Sequence, residues 1–339
     1  MKVIPCKIIR VPDDLASVTS YKPADEVNPS EVGMNQEEVQ AIWAGVEDLY
    51  RSGIHPAISF CLRRQGKVVL KRAIGHARGN GPDDTPNTEK ILATPDTPIC
   101  LFSVSKAATA MLIHLLDERG QIHLMDPVSY YIPEFVASGK ENITIHHILS
   151  HRGGIPNPPR ELDPEIIFNH DEIVKLLCKA KPVSPGGRRT AYHAITGGFI
   201  LGEIVHRVTG KDLRTLLHET VQKPLGFRYF NFGVPEEETN RVAVNYYTGV
   251  PLIFPFTTII KRALGASWKD VVRISNDPRF MKVIIPCANL FSTADEVSRF
   301  FQLLLNKGEL DGMRIFNPMT VYHAIMEVGK PEVDRTVMI

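Results

Sequence analysis

The stretch from Ile99 to Lys106, Ile-Cys-Leu-Phe-Ser-Val-Ser-Lys, decides the fold, because an apolar run changes there into the clearest helix of the chain. Ser103 is expected at the N-terminus of this helix, where unpaired backbone N–H groups favour a developing negative charge. Lys106 lies three residues further on the same face, so its amine can reach the Ser103 hydroxyl. The helix is predicted to end at Gly120, and its apolar stripe consists of Val104, Ala107, Ala108, Met111, Leu112, Leu115 and Leu116.

Two interpretations of Ser103 follow from this pattern. The Ser-x-x-Lys spacing is weak evidence by itself, since about one chance match is expected in a chain of this composition. A serine at a helix start is also a common cap. The position of Ser103 after a buried run and before an amphipathic helix is, however, the placement that nucleophilic catalysis requires.

Tyr192 is a third candidate, because it lies between the turn at Pro185–Gly186 and a helix that is predicted to close at Gly210. A phenol there could act as a general base or proton shuttle if a neighbouring ammonium lowered its pKa, since phenols ionise unaided only near pH 10. The alternative for a loop tyrosine is packing.

His147 and His151 are four residues apart and could share one face of a helix as metal ligands. No His-Glu-x-x-His pattern or third ligand accompanies them. We therefore expect His151 to tie down a helix-to-loop turn, and we expect no metal and no organic cofactor.

Composition limits the class of partner. Lys and Arg total 39 against 38 for Asp and Glu, a net charge of +1, so no chain-wide field attracts nucleic acid.

The 5 cysteines are scattered without a Cys-x-x-Cys pair, which predicts reduced, mostly buried thiols. No apolar stretch is long enough for a membrane span, and no export signal is seen, which predicts a cytoplasmic protein.

The rest of the chain alternates helices, strands and turns. Residues 1–34 lack a sustained period and are interpreted as an extended arm on the surface. Asn35 is predicted to cap a helix that Gly53 ends, and two short runs, 57–64 and 67–75, predict a hairpin. The apolar run Pro251–Ile260 is expected to be core or pocket wall, with a membrane-touching surface as the alternative.

An ordered series of motifs resembles the serine β-lactamase and penicillin-binding-protein-like hydrolases. Within this family the chain looks most like the class C-like (family VIII) carboxylesterases, over roughly residues 35–325. The motifs are Phe102–Lys106 with its helix, the turn Asp126–Val128, the segment Ile143–His151 with Gly154–Pro156, the Pro185–Gly186 loop leading to Tyr192, and Asn289–Asp295.

The resemblance implies an α+β fold in which an antiparallel sheet is flanked by helices and a mostly helical domain is inserted. The implied parts are an arm at 1–34, a sheet domain at 35–105 and 285–339, and a helical domain at 106–284. It also implies roles: Ser103 is the acylated nucleophile, Lys106 activates it, and Tyr192 assists proton transfer. The Ser103 N–H would be one oxyanion donor. The implied activity is hydrolysis of a carboxylic ester with an apolar acyl group, and the implied partner is a small-molecule ester or amide substrate.

Two departures from the family pattern keep other functions open. Ala194 stands where the family often has an asparagine, and no Lys-Thr-Gly or His-x-Gly tripeptide is found between Asp295 and Ile339, so C-terminal strands are expected to be missing. An open sheet edge would need covering by the arm or by a second copy, as in a homo-oligomer. The alternatives are β-lactamase or D-Ala-D-Ala carboxypeptidase-like activity, and a catalytically silent binding or scaffold protein.

Overall fold

Residues 6–158, 163–327, 329 and 332–337 are described by a computed structural model of the chain. It is a mixed α+β structure with antiparallel sheets and flanking helices, which confirms the expected fold class. The chain contacts group into two units. The first unit comprises 1–100, 236–252 and 292–303, and the second comprises 101–235, 253–291 and 304–339.

The strands are short except for one hairpin. They are β1 (Thr19–Tyr21), β2 (Ala57–Arg64), β3 (Lys67–Arg78), β4 (Ile91–Leu92), β5 (Ile99–Cys100), β6 (Asn231–Phe232), β7 (Leu290–Ser292), β8 (Glu309–Leu310) and β9 (Met313–Arg314). The helices are α1 (Gln36–Arg51), α2 (Ser105–Glu118), α3 (Val128–Tyr131), α4 (Ile145–Leu149), α5 (His170–Lys179), α6 (Thr196–Thr209), α7 (Leu213–Leu217), α8 (Phe256–Leu264), α9 (Trp268–Ser275), α10 (Pro278–Lys282), α11 (Ala294–Leu305) and α12 (Pro318–Ile325).

In the first unit the predicted helix and hairpin are confirmed. The Asn35 side chain caps α1 by accepting a hydrogen bond from the Glu37 N–H. β2 and β3 pair antiparallel around Gln65 and Gly66, whose φ angles of 51° and 78° suit the tight turns that join twisted strands. The sheet has the order β1-β3-β2, with β4 also pairing with β3.

The predicted arm falls partly outside the described residues, and its described part, residues 6–34, does more than lie extended on the surface. β1 pairs with β3, so the N-terminal segment supplies an edge strand to the sheet. Apolar side chains of this segment are also buried with those of α1 and β3, among them Ile9, Leu15, Val18 and Val32. The physical reason is that the sheet otherwise exposes an edge and an apolar face, which a nearby segment can cover even without periodicity.

In the second unit α2 and α6 form the core. All residues of α6 from Thr196 to Val205 are buried, and α2, α4, α5 and α7 pack against this helix. β6 pairs antiparallel with β7 through Asn231 and Phe291. The Leu101 N–H donates to the Leu290 carbonyl at 2.8 Å, which fixes the chain just before α2 beside β7.

Much of the apolar run Pro251–Ile260 is exposed. Ile253, Phe254 and Phe256 are 56%, 79% and 57% exposed, so the interpretation of the run as core is wrong for these side chains. Among the described residues, no helix combines the length and apolar character that crossing a membrane requires. The five cysteines all lie within the described residues and form no disulfide, and Cys100, Cys178 and Cys287 are buried.

Candidate active site

Ser103 lies at a tight turn two residues before α2 begins. Val104 occupies the N-cap position of α2, and no side chain caps the helix there, so the interpretation of Ser103 as a cap is wrong. Phe102 has a φ of 43°, a left-handed conformation that is rare for a bulky residue and is often found at functional sites. The turn leaves Ser103 exposed, while Ser105, two residues further on, is fully buried.

Ser105 holds this turn in place. Its hydroxyl donates to the Phe102 carbonyl and accepts a hydrogen bond of 2.9 Å from the Leu290 N–H of β7. The turn that presents Ser103 is thus attached to a strand as well as to its own helix. The sequence pattern predicts no role for Ser105, although this residue lies inside the motif Phe102–Lys106.

Lys106 lies one helical turn from Ser103 and makes two hydrogen bonds. Its Nζ donates to Ser103 Oγ at 3.0 Å and to the carbonyl oxygen of Cys287 at 3.0 Å. The second bond fixes the direction of the flexible side chain. Because the acceptor is a backbone atom, no residue type in the sequence marks it.

The loop that carries Cys287 is itself anchored. The Asn289 amide donates to the carbonyls of Phe280 and Val283, both at 2.8 Å, and its Oδ1 accepts from the Ile285 N–H at 2.8 Å. Asn289 is completely buried. Asn289 is the first residue of the motif Asn289–Asp295. Its three hydrogen bonds give a structural reason for an amide side chain at that position.

Tyr192 completes the cluster from the segment before α6. Its hydroxyl donates to Ser103 Oγ at 2.8 Å, and the Lys106 Nζ lies 5.1 Å from the centroid of its ring. The structure therefore brings together all three side chains that the sequence singled out. An ammonium and a phenol both donate to one serine oxygen, an arrangement that stabilises negative charge on that oxygen.

The two histidines predicted to share a helix face have separate structural roles. His147 caps α4: its Nδ1 accepts from the Thr144 N–H, and its own N–H donates to the Thr144 hydroxyl, both at 3.2 Å. Burial lowers the pKa of His147.

His151 lies beyond the end of α4 with a φ of 58°. The expected anchoring of the helix-to-loop turn is confirmed by its N–H, which donates to the Ile148 carbonyl at 3.2 Å.

His193, next to Tyr192, is a buried residue that the sequence analysis did not single out. Its Nδ1 lies 2.6 Å from the Ala191 carbonyl, and its Nε2 accepts from the Ile155 N–H at 3.3 Å. These partners assign the proton to Nδ1. Burial lowers the pKa of His193 to about 4, so the ring is neutral near pH 7.

A small apolar cavity of about 50 Å³ lies near the start of α6. Ile195 and Thr196, three and four residues after Tyr192, form part of its wall. The remaining wall is apolar except for Asp163 and consists of Pro158, Pro164, Ile166, Ile167, Ile173, Leu176, Leu177, Leu264 and Gly265.

Known proteins resemble this chain in sequence and in fold. The family model described as Beta-lactamase matches residues 39–335. The esterase/beta-lactamase LipL of Mycobacterium tuberculosis is 28% identical over 233 residues, 66% of this chain and 54% of LipL. The chain thus spans about half the length of that relative.

Two solved structures share the fold over most of the chain. A penicillin-binding protein homologue from Caulobacter crescentus matches with a TM-score of 0.76 and 29% identity, covering 91% of this chain and 80% of its own. A family VIII carboxylesterase matches with a TM-score of 0.69 and 26% identity, and the match covers 84% of this chain and 73% of the carboxylesterase chain.

Proposed function

Because this chain belongs to the Beta-lactamase family, we propose that it cleaves carboxylic esters through an acyl-enzyme on Ser103. The family match and the relatives support a hydrolase of the serine β-lactamase fold. The observation that supports the proposal best is the convergence of Lys106 Nζ and Tyr192 Oη on Ser103 Oγ, at 3.0 and 2.8 Å.

In the proposed acylation step, the reactive form of the site is the one in which the Lys106–Tyr192 pair has lost one proton, so that one of the two side chains is a base. Ser103 Oγ attacks the ester carbonyl carbon, and its proton passes to that base. The tetrahedral oxyanion is stabilised by the Ser103 N–H. The proton then returns to the departing alkoxide, the ester C–O bond breaks, and an alcohol leaves with the acyl group on Ser103. In deacylation, water attacks the acyl carbon, Tyr192 assists removal of its proton, and the carboxylic acid is released with Ser103 regenerated.

Esters with apolar acyl groups are favoured by one observation. Ala194 is buried and apolar at the position where an amide would bind the acyl-side carbonyl of a β-lactam or peptide. The names of LipL, an esterase/beta-lactamase, and of the penicillin-binding protein homologue keep β-lactamase or D-Ala-D-Ala carboxypeptidase-like activity as the second candidate.

Hydrolysis of p-nitrophenyl butyrate by wild type, Ser103→Ala and the exposed-site control Ser17→Ala tests the proposal. We expect Ser103→Ala to lose at least about 10³-fold in kcat/KM, since the nucleophile is removed, and Ser17→Ala to match wild type. A Ser103→Ala protein with full hydrolysis would exclude Ser103 as the nucleophile.

Covalent labelling separates the remaining functions. Intact mass after treatment with a fluorophosphonate should show one adduct on folded wild type and none on Ser103→Ala. Absence of an adduct on folded wild type favours the catalytically silent binding protein. A stable adduct with benzylpenicillin, without ester turnover, favours the carboxypeptidase-like candidate.

A further inference from the structure

His151 contacts each of the three residues in the segment 191–193 that carries Tyr192. Its carbonyl accepts a hydrogen bond of 3.0 Å from the Ala191 N–H. Its Nδ1 accepts one of 3.3 Å from the His193 N–H. Its ring meets the Tyr192 ring edge to face, with centroids 4.9 Å apart and an interplanar angle of 74°. The main chain on both sides of Tyr192 and the phenol ring itself are thus held by one residue.

The left-handed backbone of His151 makes this possible. At a φ of 58° the carbonyl and the imidazole both face the segment 191–193, while the His151 N–H stays bonded to the Ile148 carbonyl of α4. Such a conformation is uncommon for residues other than glycine and persists only where surrounding contacts determine it. The segment that carries Tyr192 is thereby attached to the end of α4.

We propose that His151 is a positioning residue that sets the orientation of the Tyr192 phenol toward Ser103. This inference rests on the proposed function, because Tyr192 must transfer protons for its orientation to matter. Its effect passes through Tyr192, since the hydrogen bonds that orient Lys106 run instead to Ser103 and to the Cys287 carbonyl. Proton transfer is sensitive to geometry, and a misplacement of about 1 Å can cost about 10²-fold in rate.

The protonation state of His151 fits this role. Nδ1 accepts from a backbone N–H and must carry no proton, which assigns the proton to Nε2. Burial is the main cause that lowers the pKa of His151 to about 4, and the Lys106 ammonium lowers it further. The ring of His193 stacks on the ring of His151, with centroids 5.9 Å apart. The charge of Asp334 acts in the opposite direction and raises the pKa of His151. The ring is therefore neutral, and the bond to His193 is intact, across the pH range of an esterase assay.

Two substitutions remove different parts of the contact. His151→Asn tolerates a left-handed backbone and keeps a short side-chain acceptor for the His193 N–H, but it loses the ring. His151→Ala loses the ring and the acceptor. We expect kcat on p-nitrophenyl butyrate to fall about 10²-fold in His151→Ala and about 10-fold in His151→Asn, with KM within about 3-fold of wild type.

A double-mutant cycle with Tyr192→Phe decides between positioning and general support of the fold. If His151 acts through Tyr192, His151→Ala should cost less than about 3-fold in the Tyr192→Phe background. An equal loss in both backgrounds, or wild-type kcat in folded His151→Ala, overturns the inference. Near-ultraviolet circular dichroism reports folding, and if His151→Ala does not fold, the same cycle with His151→Asn decides. Failure of the proposed function is distinct, because wild type itself would then lack hydrolysis that depends on Ser103.

Discussion

The carbonyl oxygen of Cys287 accepts a 3.0 Å hydrogen bond from the Lys106 ammonium, the same group that donates to Ser103. The position of this carbonyl depends on α6, where Gly198 lies directly against Cys287. A Cβ added at Gly198 would lie 2.8 Å from the Cβ of Cys287 and 2.9 Å from its backbone nitrogen. Because Gly198 has no side chain, the backbone of Cys287 can lie directly against α6, where its carbonyl orients Lys106.

Gly198→Ala should lower activity by displacing the Cys287 backbone and with it the acceptor of Lys106. We expect kcat/KM to fall at least about 10-fold, because the contact is with backbone atoms that cannot rotate away. Gly45→Ala in α1 is the matched control, since no atom lies within 4 Å of its added Cβ. It should keep full activity and raise the free energy of unfolding by about 0.5–1 kcal/mol, measured by urea denaturation. Wild-type activity in Gly198→Ala would contradict the prediction.

Tyr192→Phe removes the hydroxyl that donates to Ser103 Oγ and leaves the ring contacts in place. We expect kcat on p-nitrophenyl butyrate to fall about 10²-fold to 10⁴-fold, the range of a general acid–base group. The control is Tyr131→Phe, whose hydroxyl donates to Asp126 in another part of the second unit. Stopped-flow or steady-state assays with both variants check this, and equal kcat values would argue against proton transfer by Tyr192.

Lys140→Met should destabilise the protein without a direct effect on the site. The Lys140 ammonium is fully buried and donates to three carbonyls, those of Ala137, Cys178 and Ala180, at 2.6, 2.9 and 2.6 Å. Methionine leaves these acceptors unpaired, so the free energy of unfolding should fall by about 3 kcal/mol or more. The exposed Lys179→Met should change it by less than about 0.5 kcal/mol. Similar urea midpoints for the two variants would contradict this expectation.

Glu203 should make stability depend on pH in the acid range. Hydrogen bonds from His170, and then from Arg207, lower the pKa of this buried carboxyl from 4.5 to about 2. Because the pKa is lower in the folded state, the carboxylate stabilises the fold above pH 4.5, and this stability is lost as pH falls from 4.5 toward 2.

Glu203→Gln removes this dependence. The difference in free energy of unfolding between wild type and Glu203→Gln should be largest near pH 7, at about 3 kcal/mol, and should shrink between pH 5 and pH 3. The exposed control Glu141→Gln should show a small difference at neutral pH. Urea denaturation at several pH values measures both, and a pH-independent difference for Glu203→Gln would refute the assigned cause.

Local structure was largely predictable because it follows from local forces. Asn35 and Thr144 each cap a helix through their own side chains, and a glycine ends α6 in a left-handed conformation. The placement of Lys106 near Ser103 also follows from one turn of backbone geometry. The differences concern burial. Residues 6–34 lack a period but bury several apolar side chains in the core, and the apolar run Pro251–Ile260 exposes Ile253, Phe254 and Phe256. Burial depends on which other segment lies opposite, and periodicity does not report that.

The sequence by itself determined the helices, the hairpin and the pairing of Ser103 with Lys106, since these depend on hydrogen bonds and side-chain spacing within a few residues. Only the tertiary structure decided that Tyr192, 89 residues from Ser103, reaches the same oxygen. It alone placed the Cys287 carbonyl, 181 residues from Lys106, as the second acceptor. Such contacts arise from the packing of α2 against α6 and β7, and a backbone carbonyl or a histidine held at φ 58° has no signature in residue type.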